Sequence, residues 1–160
     1  MMKSIDSRLT PLALLLTRLT VGSYFAAAGV RKLSGELNEG LGTFYSTSFK
    51  GLQPGWLPDA LAAPYGYALP WLEVILGVML VLGLFGRLAA ALIGLMIVSF
   101  TIALAMKMGW RAQGPDTPHP FNANYIQIAV CFLLACTGPG SLSLDRVLRG
   151  RRAAKLPADA

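Results

Sequence analysis

Four long apolar blocks, at residues 9–30, 65–85, 88–106 and 121–138, constrain this chain more than any other feature of it. Each has the length that an α-helix needs to cross a hydrocarbon core, about 17–25 residues for ~30 Å. Inside lipid every backbone N–H and C=O must find its partner within the segment, so such blocks can only be helices. Composition agrees, with 14% charged residues where a soluble domain carries about a quarter. The expected fold is all-α: a four-helix transmembrane bundle, one membrane domain over residues 1–160. Little more than Gly86-Arg87 separates the second and third blocks, which predicts a tight antiparallel hairpin. The linker at 31–64 contains Phe44, Tyr45, Phe49, Trp56 and Leu57, too apolar for a free loop. It is expected to lie on the membrane surface or to cap the bundle, with a short interfacial helix around residues 58–63.

The net charge of +6 does not point to nucleic acid, because the basic residues form no patch with interleaved aromatics. Five of the fourteen cluster in the tail at residues 145–160, as Arg146, Arg149, Arg151, Arg152 and Lys155. With both termini inside, the inner side holds eight Lys and Arg against five outside, so cytoplasmic termini are expected. Membrane lipids are then direct partners, and the bacterial inner membrane is the expected location. Met1 to Arg8 and Ala26-Ala27-Ala28 resemble parts of a signal peptide, but Arg18 splits the would-be apolar core. The first helix is therefore expected to be retained. Cys131 and Cys136, five residues apart on a helix, point about 140° apart, which suits packing rather than a disulfide or metal site.

Two opposite charges lie within these blocks, Arg18 in the first and Glu73 in the second. An ionisable group at mid-membrane costs at least a few kcal/mol unless it is paired or faces a polar cavity. Small and polar residues recur on single helical faces: Arg18, Gly22, Ala26 and Gly29; Gly66, Pro70, Glu73 and Gly77; Ala90, Gly94, Thr101 and Ala105; Asn124, Gln127, Cys131 and Ala135. Small residues let membrane helices approach closely. Counting about 1.5 Å per residue from the span edges brings Arg18 and Glu73 to within about 5 Å of one height. Thr101 and Gln127 fall near the same level, and Trp71 points away. The expected locus is an Arg18–Glu73 pair with Thr101 and Gln127. Three roles stand open for it: helix registration, a polar head-group site such as one for a quinone, or a step in a proton path.

The single histidine, His119, sits in Pro118-His119-Pro120 at the mouth of the fourth block, as a loop residue or a proton or ligand contact. No span carries a histidine for an axial haem ligand. The chain has no CxxCH, CxxC, GxGxxG or Walker-type motif and no metal-ligand spacing. No intrinsic cofactor or metal is expected, and electrons for any redox role must come from another protein.

The stretch RLTVGSYFAAAGVRKL over residues 18–33, LEVILGVMLVLGLFGR over 72–87 and GPGSLSLD over 138–145 together resemble the DoxX family of small four-helix bacterial membrane proteins. That resemblance implies a membrane subunit or accessory protein of a redox enzyme. Family members are similar to subunits of quinone-linked oxidoreductases or to proteins working in methylamine-dehydrogenase maturation. It implies a bound quinone as the ligand, and a redox-enzyme subunit or a second copy as the partner. The expected role is that of a non-catalytic membrane subunit. The competing readings are a small proton-coupled transporter that titrates Glu73, and a scaffold with no ligand.

Overall fold

The computed structural model describes residues 2–108 and 123–153. The described residues form helices joined by short loops, with no strand among them. Helix α1 covers Met2–Glu39, and a π-helical turn at Tyr45–Phe49 passes into a single turn, α2, at Lys50–Leu52. Then come α3 at Asp59–Leu82, α4 at Gly86–Met108, α5 at Asn124–Thr137 and α6 at Leu144–Ala153. Three of these, α1, α3 and α4, are long and apolar enough to cross a membrane, and α5 is a shorter apolar helix.

Two elements differ from the sequence expectation. Helix α1 does not stop at Arg31-Lys32 but continues to Glu39, so Lys32 stands on a helix and not at the start of a loop. Residues 58–63 form no separate interfacial helix, because Asp59 opens α3 directly. Pro58, in extended conformation, starts that helix with the Asp59 carboxylate in its first turn, where the helix dipole favours an anion. Gln53 holds this start in place, donating to Leu57 O at 2.7 Å and to Asp59 Oδ1 at 2.9 Å.

Helices α1 and α3 meet along their small-residue faces. A Cβ on Gly77 would lie 2.5 Å from Ala26 N, so the two backbones are in direct contact there. Gly22 backs onto Gly77 and Val81, and Gly29 onto Pro70 and Val74, one heptad apart on each helix. This close approach lets dispersion hold the pair where lipid provides no hydrophobic drive. Helix α4 contributes the fully buried Ala89, Ala90 and Ile93 to a core shared with Leu69 and Leu80 of α3. Gly94 of α4 lies against the buried Cys131 of α5, while Cys136 is exposed and both thiols are free.

The α3–α4 hairpin is knit to the C-terminal segment. Helix α3 ends at Gly83, at φ 67°, with Gly83 N–H donating to Leu80 O and Leu84 N–H to Met79 O. That two-bond ending needs a left-handed residue, which glycine adopts without a Cβ penalty. Phe85 is also left-handed, at φ 47°, and carries that cost in full. The Asp145 carboxylate offsets it, accepting from Phe85 N–H at 2.8 Å and Gly86 N–H at 2.9 Å. It thereby caps the N-terminus of α4 from sixty residues away in sequence.

Candidate functional site

The expected Arg18–Glu73 pair does not form. Arg18 is buried and donates through Nη1 to Pro139 O at 3.0 Å and through Nη2 to Leu142 O. Glu73 is buried and pairs through Oε1 with Lys32 Nζ at 2.5 Å. The reason lies in helix register. The contacts of Gly22 and Gly29 put Arg18 level with Gly83, and Glu73 level with residues 26–30. The two charges are therefore about ten residues of rise apart, roughly 15 Å. The sequence estimate set the edges of the first two apolar blocks at matching heights. Close backbone packing overrides those edges, so the part of α1 before Arg18 runs past the α3–α4 turn, with Leu9, Leu12 and Leu16 exposed.

Arg18 thus belongs to the hairpin end of the bundle. A Cβ on Gly83 would lie 2.3 Å from its Nη1, so the guanidinium fills the space beside the turn. Two carbonyls from the 138–145 segment accept from the two terminal nitrogens of its fork, while its buried Nε has no partner, and Asp145 N–H donates to Gly83 O at 3.1 Å. These contacts explain GPGSLSLD as a structural clamp.

Glu73 belongs to the opposite end, beneath the linker. Lys32 lies one turn above it on α1, with its ammonium 4.7 Å from the centre of the Phe44 ring and 5.5 Å from that of Phe100. Such cation–π contacts gain strength where water is excluded. Phe44 is placed by Glu36, whose buried carboxylate accepts from Gly42 N–H at 2.9 Å and Phe44 N–H at 3.3 Å. Aromatic contacts then lay the linker on α3: Tyr45 stacks on Tyr67 at 4.9 Å, and Phe49 meets Tyr65 edge-on at 5.7 Å. Lys107 donates to Gly51 O, tying the end of α4 to α2. Under this roof lies a cavity of about 390 Å³, almost wholly apolar, with Lys32, Gln53, Tyr65, Ser99 and Phe100 among its walls.

The other expected site residues do not join either charge. The Thr101 hydroxyl is buried and donates to Ile97 O of its own helix at 2.7 Å. Gln127 is half-buried on α5 and forms no hydrogen bond with Arg18, Lys32 or Glu73. His119 lies outside the described residues. Trp71 is exposed on α3. Among the described residues no three His, Cys, Asp or Glu side chains converge on a metal site. The residue that sequence reasoning missed is Lys32, the partner of Glu73, which fell there in the linker at 31–64. Its spacing of three from Gly29 and seven from Phe25 puts it on the packing face, and that was the available signal.

The long apolar helices and the buried ion pair within them define a helical membrane protein. Residues 10–118 match the family of methylamine utilisation protein MauE, and the chain belongs to that family. This overturns the resemblance to DoxX, a different family. Two of the segments that carried the resemblance, at 18–33 and 72–87, fall inside the matched region. Their glycine-bearing apolar pattern follows from close helix packing in general and is not diagnostic of one family. No curated protein and no solved structure matches the chain.

Proposed function

We propose that this chain is a membrane accessory protein of a methylamine-utilisation redox system, supporting a partner enzyme rather than carrying out chemistry of its own. The observation that carries this reading is the family match over residues 10–118, which takes in α1 from residue 10, the linker, and all of α3 and α4. The placement of its charges is consistent with a supporting role, since Arg18, Glu36 and Asp145 all hold backbone groups in place. In a methylamine-grown bacterium, deleting the gene is expected to lower the methylamine-oxidising enzyme in the cell, and this chain restores it. The purified chain alone is expected not to oxidise methylamine. An unchanged enzyme level after deletion, or turnover by the chain alone, refutes the proposal.

We further propose a four-span arrangement in the inner membrane with both termini in the cytoplasm. Helix α5 alone spans about 21 Å, short of a ~30 Å core, so the fourth crossing rests on the length of the apolar block at 121–138 in the sequence. The excess of Lys and Arg on that side supports the orientation. It sets the Arg18–Asp145 clamp at the cytoplasmic end and the Lys32 cavity at the outer end. A C-terminal fluorescent-protein fusion is expected to fluoresce and an alkaline phosphatase fusion there to be inactive; the reverse pair of results refutes the orientation.

A further inference from the structure

We infer that the cavity under the linker binds a neutral, membrane-soluble ring compound with oxygen acceptors, of the quinone class, and that Lys32 holds one of its carbonyls. This goes beyond the proposed partnership and does not depend on it. At about 390 Å³ the cavity falls within the range of small-molecule sites, roughly 300–1,000 Å³. Phe44, Phe49, Trp56, Tyr65 and Phe100 are among its walls. Flat aromatic faces favour a stacked ring over a flexible acyl chain.

The polar groups narrow the ligand further. An ammonium has three donors, and Lys32 directs one to Glu73 Oε1, leaving N–H capacity for an acceptor. Because Glu73 already neutralises Lys32, a neutral carbonyl fits better than a carboxylate or phosphate. Gln53 contributes the complementary feature. Its Nε2 is taken by Leu57 O and Asp59 Oδ1, while its buried Oε1 has no partner. Ser99 donates to Met96 O, so Tyr65 donates to Ser99 and keeps its own oxygen free to accept. The site therefore offers both a donor and unmatched acceptors. A quinone meets the first and its reduced, hydroxyl-bearing form meets the second, whereas a hydrocarbon tail leaves both unmet.

The test uses the full chain in lipid nanodiscs, titrated with decylubiquinone and followed by tryptophan fluorescence, since Trp56 lines the cavity. Decylbenzene is the matched ring with no acceptor. The K32M/E73Q variant removes the donor without stranding either charge, and A103F fills the cavity from α4, with L52W doing so from the linker should A103F not fold. Decylubiquinone is expected to bind saturably. Decylbenzene with the native chain, and decylubiquinone with K32M/E73Q, are each expected to bind roughly tenfold or more weakly, the worth of one hydrogen bond to a charged donor. The filling variants are expected to abolish saturable binding with their unfolding temperature retained. Equal binding of decylbenzene, undiminished binding by K32M/E73Q or by the filled cavity, or no saturable binding at all would each overturn the inference.

Discussion

Replacing Glu73 by Gln, alone and in combination with changes at Lys32 or Arg18, tests the charge arrangement of this bundle directly. Lys32 and Glu73 are 2.5 Å apart, with side chains 22% and 3% exposed. Breaking a buried pair from one side costs about 3–5 kcal/mol, chiefly because the remaining charge is stranded. The two single variants should differ. Lys32→Met strands Glu73, whose Oε2 already lacks a partner, so it belongs at the upper end of that range. Glu73→Gln strands Lys32, whose long stem lets the ammonium reach toward solvent, so it belongs at the lower end. K32M/E73Q removes both charges and strands neither, so it is expected to cost about 2–3 kcal/mol less than the two single variants summed, and that difference is the coupling. Arg18 and Glu73, roughly 15 Å apart by register, interact by about 1 kcal/mol at an effective dielectric constant of 20. R18M/E73Q should therefore be additive within that amount. The assay is unfolding in mixed micelles by added dodecyl sulfate, followed by circular dichroism. A coupling of Glu73 to Arg18 as large as its coupling to Lys32 would refute the register and the site built on it.

Further expectations follow from the packing. Asp145→Ala leaves two N–H groups at the start of α4 uncapped and is expected to cost about 0.5–2 kcal/mol in the same unfolding assay; no loss would show that the trans cap is dispensable. Gly77→Ala puts a methyl 2.5 Å from Ala26 N, and forcing the helices apart is expected to cost about 1–3 kcal/mol. Gly83→Ala is expected to cost more than the ~1 kcal/mol of a left-handed alanine, because its methyl also displaces the Arg18 guanidinium. If Arg18→Lys matches the native stability, the paired carbonyl contacts of the fork are not what holds the clamp.

The helices themselves were legible in the sequence. Apolar length marked α1, α3 and α4, and Gly86-Arg87 marked the hairpin, because backbone polar groups in lipid have no alternative to the helix. The small-residue faces were legible as well, since 3.6-residue periodicity puts Gly22 and Gly29 on one side of α1 and Pro70 and Gly77 on one side of α3. Local chemistry did not mark the end of α1. Arg31-Lys32 reads as a stop in a hydropathy profile, yet neither residue breaks a helix, so α1 continues to Glu39.

By itself, then, the sequence determined that this is a helical membrane protein, which faces of its helices pack, and that Arg18 and Glu73 lie on those faces. Only the tertiary structure decided how far one helix slides along the other. Periodicity fixes rotation about a helix axis but carries no information on translation along it. Translation is set by which backbones touch, here Gly22 and Gly29 of α1 against α3. That slide gave Glu73 to Lys32, gave Arg18 to the carbonyls of Pro139 and Leu142, and placed Lys32 against an aromatic cavity.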